Sequence, residues 1–353
     1  MKQITIRDIA KEAGVSVSTV SLVINRKGSV SERTRKKVEK IIKTHNYHPS
    51  SYGKNLALKS NNLIGAVISD RHFYPEEKFY TTVYLSAIIE AQKEGKNLLL
   101  SIYHADELGN DNYTELPDFV KARSVDGVIV IGDIPDNYLR ELLKKNIPTV
   151  MVNYFSTKFK RTPYITADNR WGAHLATQHF LSMGHKDIGF IAAMNEDPTI
   201  KERCRGFIET LEENSIPLKN ELVFTHSGHN PYEYGFYVGE KIAKEKIKMT
   251  SVFAASDLMA IGLMRALQNF NIKIPDDIAI IGFDDITISS MVVPGLSTIR
   301  FPKKRMGERA VQKLAEMIRL QKFFPEKIIL PVELIIRGSC GSKQATPESE
   351  ALL

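Results

Sequence analysis

Thr5-Ile6-Arg7-Asp8-Ile9-Ala10-Lys11-Glu12-Ala13-Gly14-Val15-Ser16-Val17-Ser18-Thr19-Val20-Ser21-Leu22-Val23-Ile24-Asn25 places a helix start, a glycine turn and a second helix start within one short run. Thr5 followed three residues later by Asp8 has the spacing of a capping box, in which each side chain satisfies the other's free backbone N–H. The pattern predicts a short helix to Ala13, a tight turn at Gly14, and a second helix capped by Ser16 with Val20, Val23 and Ile24 facing inward. Working outward, Ser31 caps a third helix from Glu32 to about His45. Val38, Ile41 and Ile42 make its apolar stripe, while Arg33, Arg35, Lys36, Lys37, Lys40 and Lys43 project to solvent. This is a helix-turn-helix with a supporting helix. In such a unit the second helix meets base edges in the major groove, which points Ser16, Val17, Ser18 and Leu22 at bases. Three short helices can equally form a plain structural bundle.

Charge weighs on that choice. Of the 48 Lys and Arg and 41 Asp and Glu in the chain, thirteen bases and only four acids fall in residues 1–60, leaving thirty-five bases and thirty-seven acids for the rest. The net charge of +7 therefore resides in the N-terminal sixth. A solvated basic face would look similar, but a cationic head on a neutral body is also the footprint of a polyanion-binding module.

The run Thr5–Asn25, followed by Val30-Ser-Glu-Arg-Thr-Arg-Lys-Lys-Val38 and Asn46-Tyr-His-Pro49, closely resembles the headpiece of the LacI–GalR, or lactose-repressor, family. The resemblance implies that Thr5, Ser16, Thr19, Ser21, Asn25, Ser31, Thr34 and Tyr47 contact the DNA backbone and that Val17, Ser18 and Leu22 read bases. Family members usually carry Arg where this chain has Leu22. Arginine would bind guanine O6 and N7 in a bidentate manner, worth about 1–3 kcal/mol of discrimination, whereas leucine offers only apolar contact such as a thymine methyl. The operator half-site is expected to differ there.

Pro49 to Ser60 joins this head to the remainder. It is too short to be a stable helix alone, since isolated helices below about 12–15 residues are marginal, and Gly53 weakens it by roughly 1 kcal/mol relative to Ala. By the resemblance it is a hinge helix that forms on the operator and inserts Leu56 into the minor groove, kinking the duplex. A plain tether with Leu56 unburied is the alternative.

From Leu63 short apolar runs alternate with amphipathic stretches, the signature of parallel strands with crossover helices. The strand candidates are Leu63–Ile68, Asn97–Tyr103, Gly127–Ile131, Thr149–Asn153, Tyr164–Ala167, Ile188–Ala192, Val252–Ala255 and Ile278–Phe283. Later segments at Thr298–Phe301 and Ile328–Ile336 read as crossovers between two lobes. The expected fold class is α/β, with two doubly wound parallel-sheet lobes around a cleft, and ligands bind beyond the carboxyl ends of such strands. Asp168-Asn169, Gly184-His185, Arg203-Cys-Arg-Gly-Phe207, Ser256-Asp-Leu-Met-Ala-Ile-Gly262, Ile280-Ile-Gly-Phe-Asp-Asp285 and Pro294-Gly-Leu-Ser-Thr298 extend the resemblance to Gly338 and imply a type I periplasmic-binding-protein-like core. By it, Arg203 and Asp257 match effector-binding residues, and a guanidinium with a carboxylate suits sugar hydroxyls, carboxylates or purine edges. Asp70, Asn153 and Asp284 are strand-end candidates, where caps and turn residues also occur. Asn230 stands where relatives place an aromatic that stacks on the ligand. Phe73, Tyr74, Phe79 and Tyr80 are available to compensate, or simply to fill the core.

The expected organisation is a headpiece 1–48, a hinge 49–61, an effector-binding and dimerisation core 62–338 and a disordered tail 339–353. The core divides into an N-lobe of about 62–160 and 291–322 and a C-lobe of about 161–290 and 323–338. No Walker loop, nucleophile elbow or Gly-rich dinucleotide turn is present, and neither the scattered histidines nor the Asp284-Asp285 pair has trusted metal spacing, so no enzyme activity, cofactor or metal is expected. Lys2, Arg7 and Asp8 interrupt any export signal, no stretch reaches the roughly 20 apolar residues of a membrane helix, and Cys204 and Cys340 form no disulfide framework, all of which fits a cytoplasmic protein. The tail lacks heptads, so a homodimer on double-stranded operator DNA, switched by a small sugar-like effector, is the expected assembly. The alternatives are a solute-binding protein, a sugar- or nucleotide-processing enzyme, and a regulator whose corepressor is a protein.

Overall fold

The computed structural model describes residues 4–24, 28–47, 61–70, 79–104, 115–156, 158–193, 197–226 and 230–341. Asn25, the segment 48–60 with Leu56, Phe73, Tyr74 and the tail beyond Gly341 lie outside the described residues. The chain separates into two compact units, 1–62 and 63–353.

The first unit holds α1 (Ile6–Ala13), α2 (Val17–Ile24) and α3 (Glu32–Thr44). The capping box forms as its spacing requires: Thr5 N donates to Asp8 Oδ2 at 2.9 Å and Asp8 N to Thr5 Oγ1 at 3.4 Å. Gly14 closes α1 with φ of 66°, a left-handed conformation open to glycine at little cost. Ser16 Oγ accepts from Thr19 N (3.1 Å) and Ser31 Oγ from Thr34 N (3.3 Å). Ile9, Ala10, Ala13, Val20, Val23 and Val38 form the buried core, with Ile24, Ile41, Ile42 and Tyr47 packed around it. So small a core makes caps and close packing weigh heavily in its stability.

The second unit contains two six-stranded sheets. Its strands are β1 (Leu63–Ser69), β2 (Asn97–Tyr103), β3 (Gly127–Ile131), β4 (Thr149–Val152), β5 (Tyr164–Ala167), β6 (Ile188–Ala193), β7 (Val223–His226), β8 (Ser251–Ala254), β9 (Ala279–Asp284), β10 (Ser297–Arg300), β11 (Lys327–Leu330) and β12 (Glu333–Ile335). Its helices are α4 (Phe79–Lys93), α5 (Asp118–Lys121), α6 (Asp136–Leu143), α7 (Asn169–Ser182), α8 (Pro198–Glu213), α9 (Pro231–Glu245), α10 (Asp257–Asn269) and α11 (Lys303–Leu320). The first sheet runs β11-β5-β4-β3-β1-β2 and the second β12-β10-β9-β8-β6-β7. All recorded pairings are parallel except β12 on β10. Strands buried on both faces, such as β3 and β9, read as unbroken apolar runs because helices cover each side. Helices α4 and α11 pack together on the first sheet, while α7 with α8 and α9 with α10 pair in the second lobe. The α9–α10 contact is backbone to backbone: a Cβ at Gly235 would lie 2.0 Å from the Met259 carbonyl oxygen.

Sheet membership corrects the expected lobe boundaries. Tyr164–Ala167 and Lys327–Leu330, assigned to the C-lobe from sequence, belong to the first sheet, and Ser297–Arg300, assigned to the N-lobe, belongs to the second. Membership is set by partners far away in sequence, as in Val152 with Ile165 and Thr298 with Gly282, which no local pattern encodes. The segment Ile328–Ile336, expected as one element, is two strands in different sheets. Pro331 lies between them and, lacking an N–H, cannot continue a ladder. The chain thus crosses between lobes after β5, after β10 and after β11. Val223–His226 is an additional strand that the sequence reading did not single out.

Candidate functional site

In the first unit, the residues expected to face bases are the exposed ones. Val17 is 41% and Leu22 39% accessible, although an apolar side chain on a helix beside a core would gain by burial. Ser16 and Ser18 are exposed next to them, and Thr19, Ser21, Thr34 and Tyr47 are half-buried. The hydroxyls of Thr5, Ser16 and Ser31 serve the helix starts, which directs the free N–H groups of those first turns outward with them. Arg33, Lys36, Lys37, Lys40 and Lys43 stand exposed along α3.

In the second unit, Arg203 of α8 is 4% exposed and anchors a cluster that joins both lobes. Its Nε donates to Asn169 Oδ1 at 2.9 Å, and its Nη1 to the Ala255 carbonyl at 2.5 Å and to Asp284 Oδ1 at 3.5 Å. The guanidinium carbon lies 3.9 Å from the Phe283 ring centre and 5.3 Å from that of Phe301. Phe301 meets Phe79 of the first lobe edge-on at 5.1 Å, and Phe79 meets Tyr80 at 4.8 Å. Tyr80 in turn accepts a hydrogen bond from Asn153 Nδ2 at 3.1 Å. Asn153 follows β4 with φ of 54°, is 6% exposed, and its buried Oδ1 has no hydrogen-bond partner among the described residues. A buried acceptor left in this state costs about 1–3 kcal/mol.

Charge is arranged around the same cluster. Lys303, at the crossover into α11, donates to the Asp285 carbonyl at 2.7 Å, and burial pushes its amine below the usual lysine range despite the carboxylates of Asp284, Asp285 and Asp257. Asp197 caps α8 through Thr199 N at 2.8 Å; burial, and then the neighbouring carboxylate of Asp133, push its carboxyl up. Asp284 holds φ of 123°, a conformation that stores strain in a non-glycine residue.

Asp257 is the first residue of α10. It is wholly buried, and its carboxylate accepts from Ile286 N (3.0 Å), Ser289 Oγ (2.6 Å) and Thr298 Oγ1 (2.5 Å). Through these bonds it braces the β9–β10 connection from inside. Asn230 caps α9 by accepting from Glu233 N at 3.2 Å, and Asp70 pairs with His104 at 3.1 Å at the end of β1. Of the six effector candidates, Arg203 and Asp284 are in direct contact, and Asn153 reaches them through the aromatic chain.

A sequence profile described as bacterial regulatory proteins of the lacI family matches residues 5–50, and one described as a periplasmic binding protein-like domain matches residues 177–340. The HTH-type transcriptional repressor PurR of Mannheimia succiniciproducens is 32% identical over 337 residues, covering 95% of this chain and 98% of its own. This chain belongs to the lacI family. The probable HTH-type transcriptional repressor ExuR of Bacillus subtilis is 31% identical, with the same coverage of each chain. A Lac repressor dimer bound to operator and the anti-inducer ONPF superposes with a TM-score of 0.81 at 26% identity, over 96% of this chain and 99% of that one. A CelR–cellobiose complex gives 0.71 at 26%, over 95% and 99%. As a lacI-family member the chain is a DNA-binding transcriptional repressor with a ligand-binding domain of the periplasmic-binding type, and not an enzyme. Among the described residues no group of His, Cys, Asp or Glu has metal-binding geometry, and no helix is long and apolar enough to cross a membrane.

Sequence reasoning missed Asn169, Asp133, Asp197, Phe283, Phe301 and Lys303 as parts of this cluster. Two carried a usable signal: Asp197 precedes Pro198, a cap followed by a favoured first-turn residue, and Asp133 follows Gly132 at a strand's carboxyl end. The rest meet only through the crossovers.

Proposed function

We propose that this lacI-family repressor is a cytoplasmic homodimer that binds operator DNA and is switched by a small, sugar-like effector held between the lobes of its core. The headpiece (1–48) contacts the DNA backbone through Thr5, Ser16, Thr19, Ser21, Asn25, Ser31, Thr34 and Tyr47, and reads bases with Val17, Ser18 and Leu22. The hinge (49–61) inserts Leu56 into the minor groove. In the cleft Arg203, Asp257, Asn153 and Asp284 bind the effector, with Asp70 at the end of β1, Asn230 at the start of α9, and Asp133 and Asp197 nearby.

The observation that carries the effector reading is the unsatisfied Asn153 Oδ1 in an otherwise bonded cluster. An incoming hydroxyl donor would remove that penalty. The cluster presents donors and acceptors side by side: Arg203 donates through Nε and Nη1 and Lys303 through its amine, close to the carboxyl groups of Asp133, Asp197 and Asp284. Such a mixed lining suits hydroxyl groups, which both donate and accept. The cellobiose bound to CelR and the ONPF bound to the Lac repressor dimer support a sugar-like ligand. Support for a twin subunit comes from exposed Leu85 and Ile89 on α4 and Leu99 and Ile102 on edge strand β2, an apolar surface a monomer would not keep.

The switch is a two-state linkage. Ligand biases the angle between lobes, and with it the spacing at which paired hinges can fold on DNA, by no more than its differential affinity for the two states. Operator binding followed by fluorescence anisotropy, with and without neutral sugars, tests it. Arg203→Ala is expected to abolish the sugar response while leaving operator affinity intact, and a preserved response would move the pocket elsewhere. Leu56→Ala should weaken operator binding far more than binding to random duplex; equal losses would remove the wedge.

A further inference from the structure

We propose that the groove between α7 and α8 is a second ligand site, separate from the interlobe cleft, that takes an uncharged saccharide. The groove is open to solvent, has a volume of about 380 Å³ and is lined by Asp168, Arg170, Trp171, His174, Glu209 and Glu213, together with Gly206 and Thr210. That volume lies within the range of small-ligand sites, about 300–1,000 Å³. At Gly206 the two helices approach so closely that a Cβ would sit 2.2 Å from the Arg170 carbonyl oxygen, so the floor is backbone and the walls are side chains.

Trp171 is the chain's one tryptophan, and it is 49% exposed. It is held flat by stacking on His174, with ring centres 4.6 Å apart and planes inclined by 14°. The imidazole is fixed in its turn. Thr210 Oγ1 donates its proton to the Gly206 carbonyl at 2.6 Å, so at its 3.0 Å contact with His174 Nδ1 the hydroxyl accepts. In the neutral ring this leaves Nε2 as the acceptor. The platform is therefore ordered before any ligand arrives, which lowers the cost of binding.

The charges select the ligand class. Arg170 grips Glu209 through two nitrogens, Glu213 lies 3.7 Å from His174 Nδ1, and the Asp168 carboxylate accepts from Trp171 N at 2.9 Å. An anion would face three carboxylates against one guanidinium and could reach Arg170 only by breaking its pair with Glu209. Hydroxyl groups, each both donor and acceptor, can add to the outer lone pairs and N–H groups without doing so, while the C–H face of a sugar ring covers the indole.

Because Trp171 is the sole tryptophan, its fluorescence in the full chain reports on this groove. Titration with methyl β-glucopyranoside, methyl β-galactopyranoside and cellobiose is expected to give a saturable change with at least one of them, at roughly millimolar Kd. By calorimetry with that same sugar, Trp171→Ala should lose at least about tenfold in affinity, Trp171→Phe should retain most of it, and Arg203→Ala should leave it unchanged. The proposal falls if none of the three sugars changes the emission up to about 50 mM, or if spermidine does so instead and about 0.5 M salt removes the effect. It also falls if Arg203→Ala abolishes the response, which would assign the signal to the cleft.

Discussion

In the first unit, Val17 and Leu22 stand in solvent on a helix that rests on a few small buried side chains. In the second, Arg203 and Asn153 lie almost wholly buried where strands from two lobes meet. The difference follows from what each must touch. A DNA groove is an external surface, so its readers must project from a stiff local element, and their order along one helix is their order in space. A small ligand must be enclosed, so its partners come from strand ends and crossovers far apart in sequence. The price of the second arrangement is unsatisfied or strained groups, visible at Asn153 Oδ1 and at the positive φ of Asp284, whereas the headpiece shows caps and an intact capping box.

This contrast can be broken most severely at Asp257. Replacing it by Ala leaves Ile286 N, Ser289 Oγ and Thr298 Oγ1 buried without their acceptor, with an expected loss of at least about 3 kcal/mol at roughly 1–3 kcal/mol per orphaned donor. Chemical denaturation should show it in the body while the headpiece still folds. A loss below about 1 kcal/mol would show that the three donors find other partners. Ile9→Ala attacks the other side. It removes a wholly buried side chain from a small core, at about 2–5 kcal/mol, and should abolish operator binding while the body's thermal transition stays in place.

A third test uses pH. Burial pushes the Asp285 carboxyl up, but hydrogen bonds from Arg300 (2.7 Å) and Arg337 (2.6 Å) outweigh it and hold the group below its ordinary value. A depressed folded-state pKa contributes stability that is present above the unfolded value and disappears as pH falls through the folded one. Acidification below the usual carboxylate range should therefore cost the wild type more stability than Asp285→Asn, measured by thermal unfolding across pH. At neutral pH that variant should lose about 1.5–3 kcal/mol, the scale of hydrogen bonds to charged groups. Equal acid sensitivity in both proteins would show that the two arginines contribute nothing through this group. The smallest effect is expected from Ser31→Ala, which removes the cap on Thr34 N and should cost about 1 kcal/mol in the headpiece alone.

The headpiece was legible from residue types almost in full, because capping, turn and amphipathic rules act over three or four residues: α1 and α2 end where Ala13-Gly14 and Ile24 place them, and Ser16 and Ser31 cap as their positions imply. Most strands of the body were legible for the same reason, with Asn97–Tyr103, Gly127–Ile131 and Tyr164–Ala167 matching residue for residue. Tertiary structure alone decided which sheet each late strand joins, that the Asp257 carboxylate holds the β9–β10 connection while Asn153 Oδ1 has no partner among the described residues, and that Phe79, Phe301 and Phe283 link the lobes through Arg203. These are contacts between residues tens to hundreds of positions apart. A carboxylate's role depends on whether its lone pairs are already occupied, which is a property of the packed neighbourhood and not of the residue or its local run.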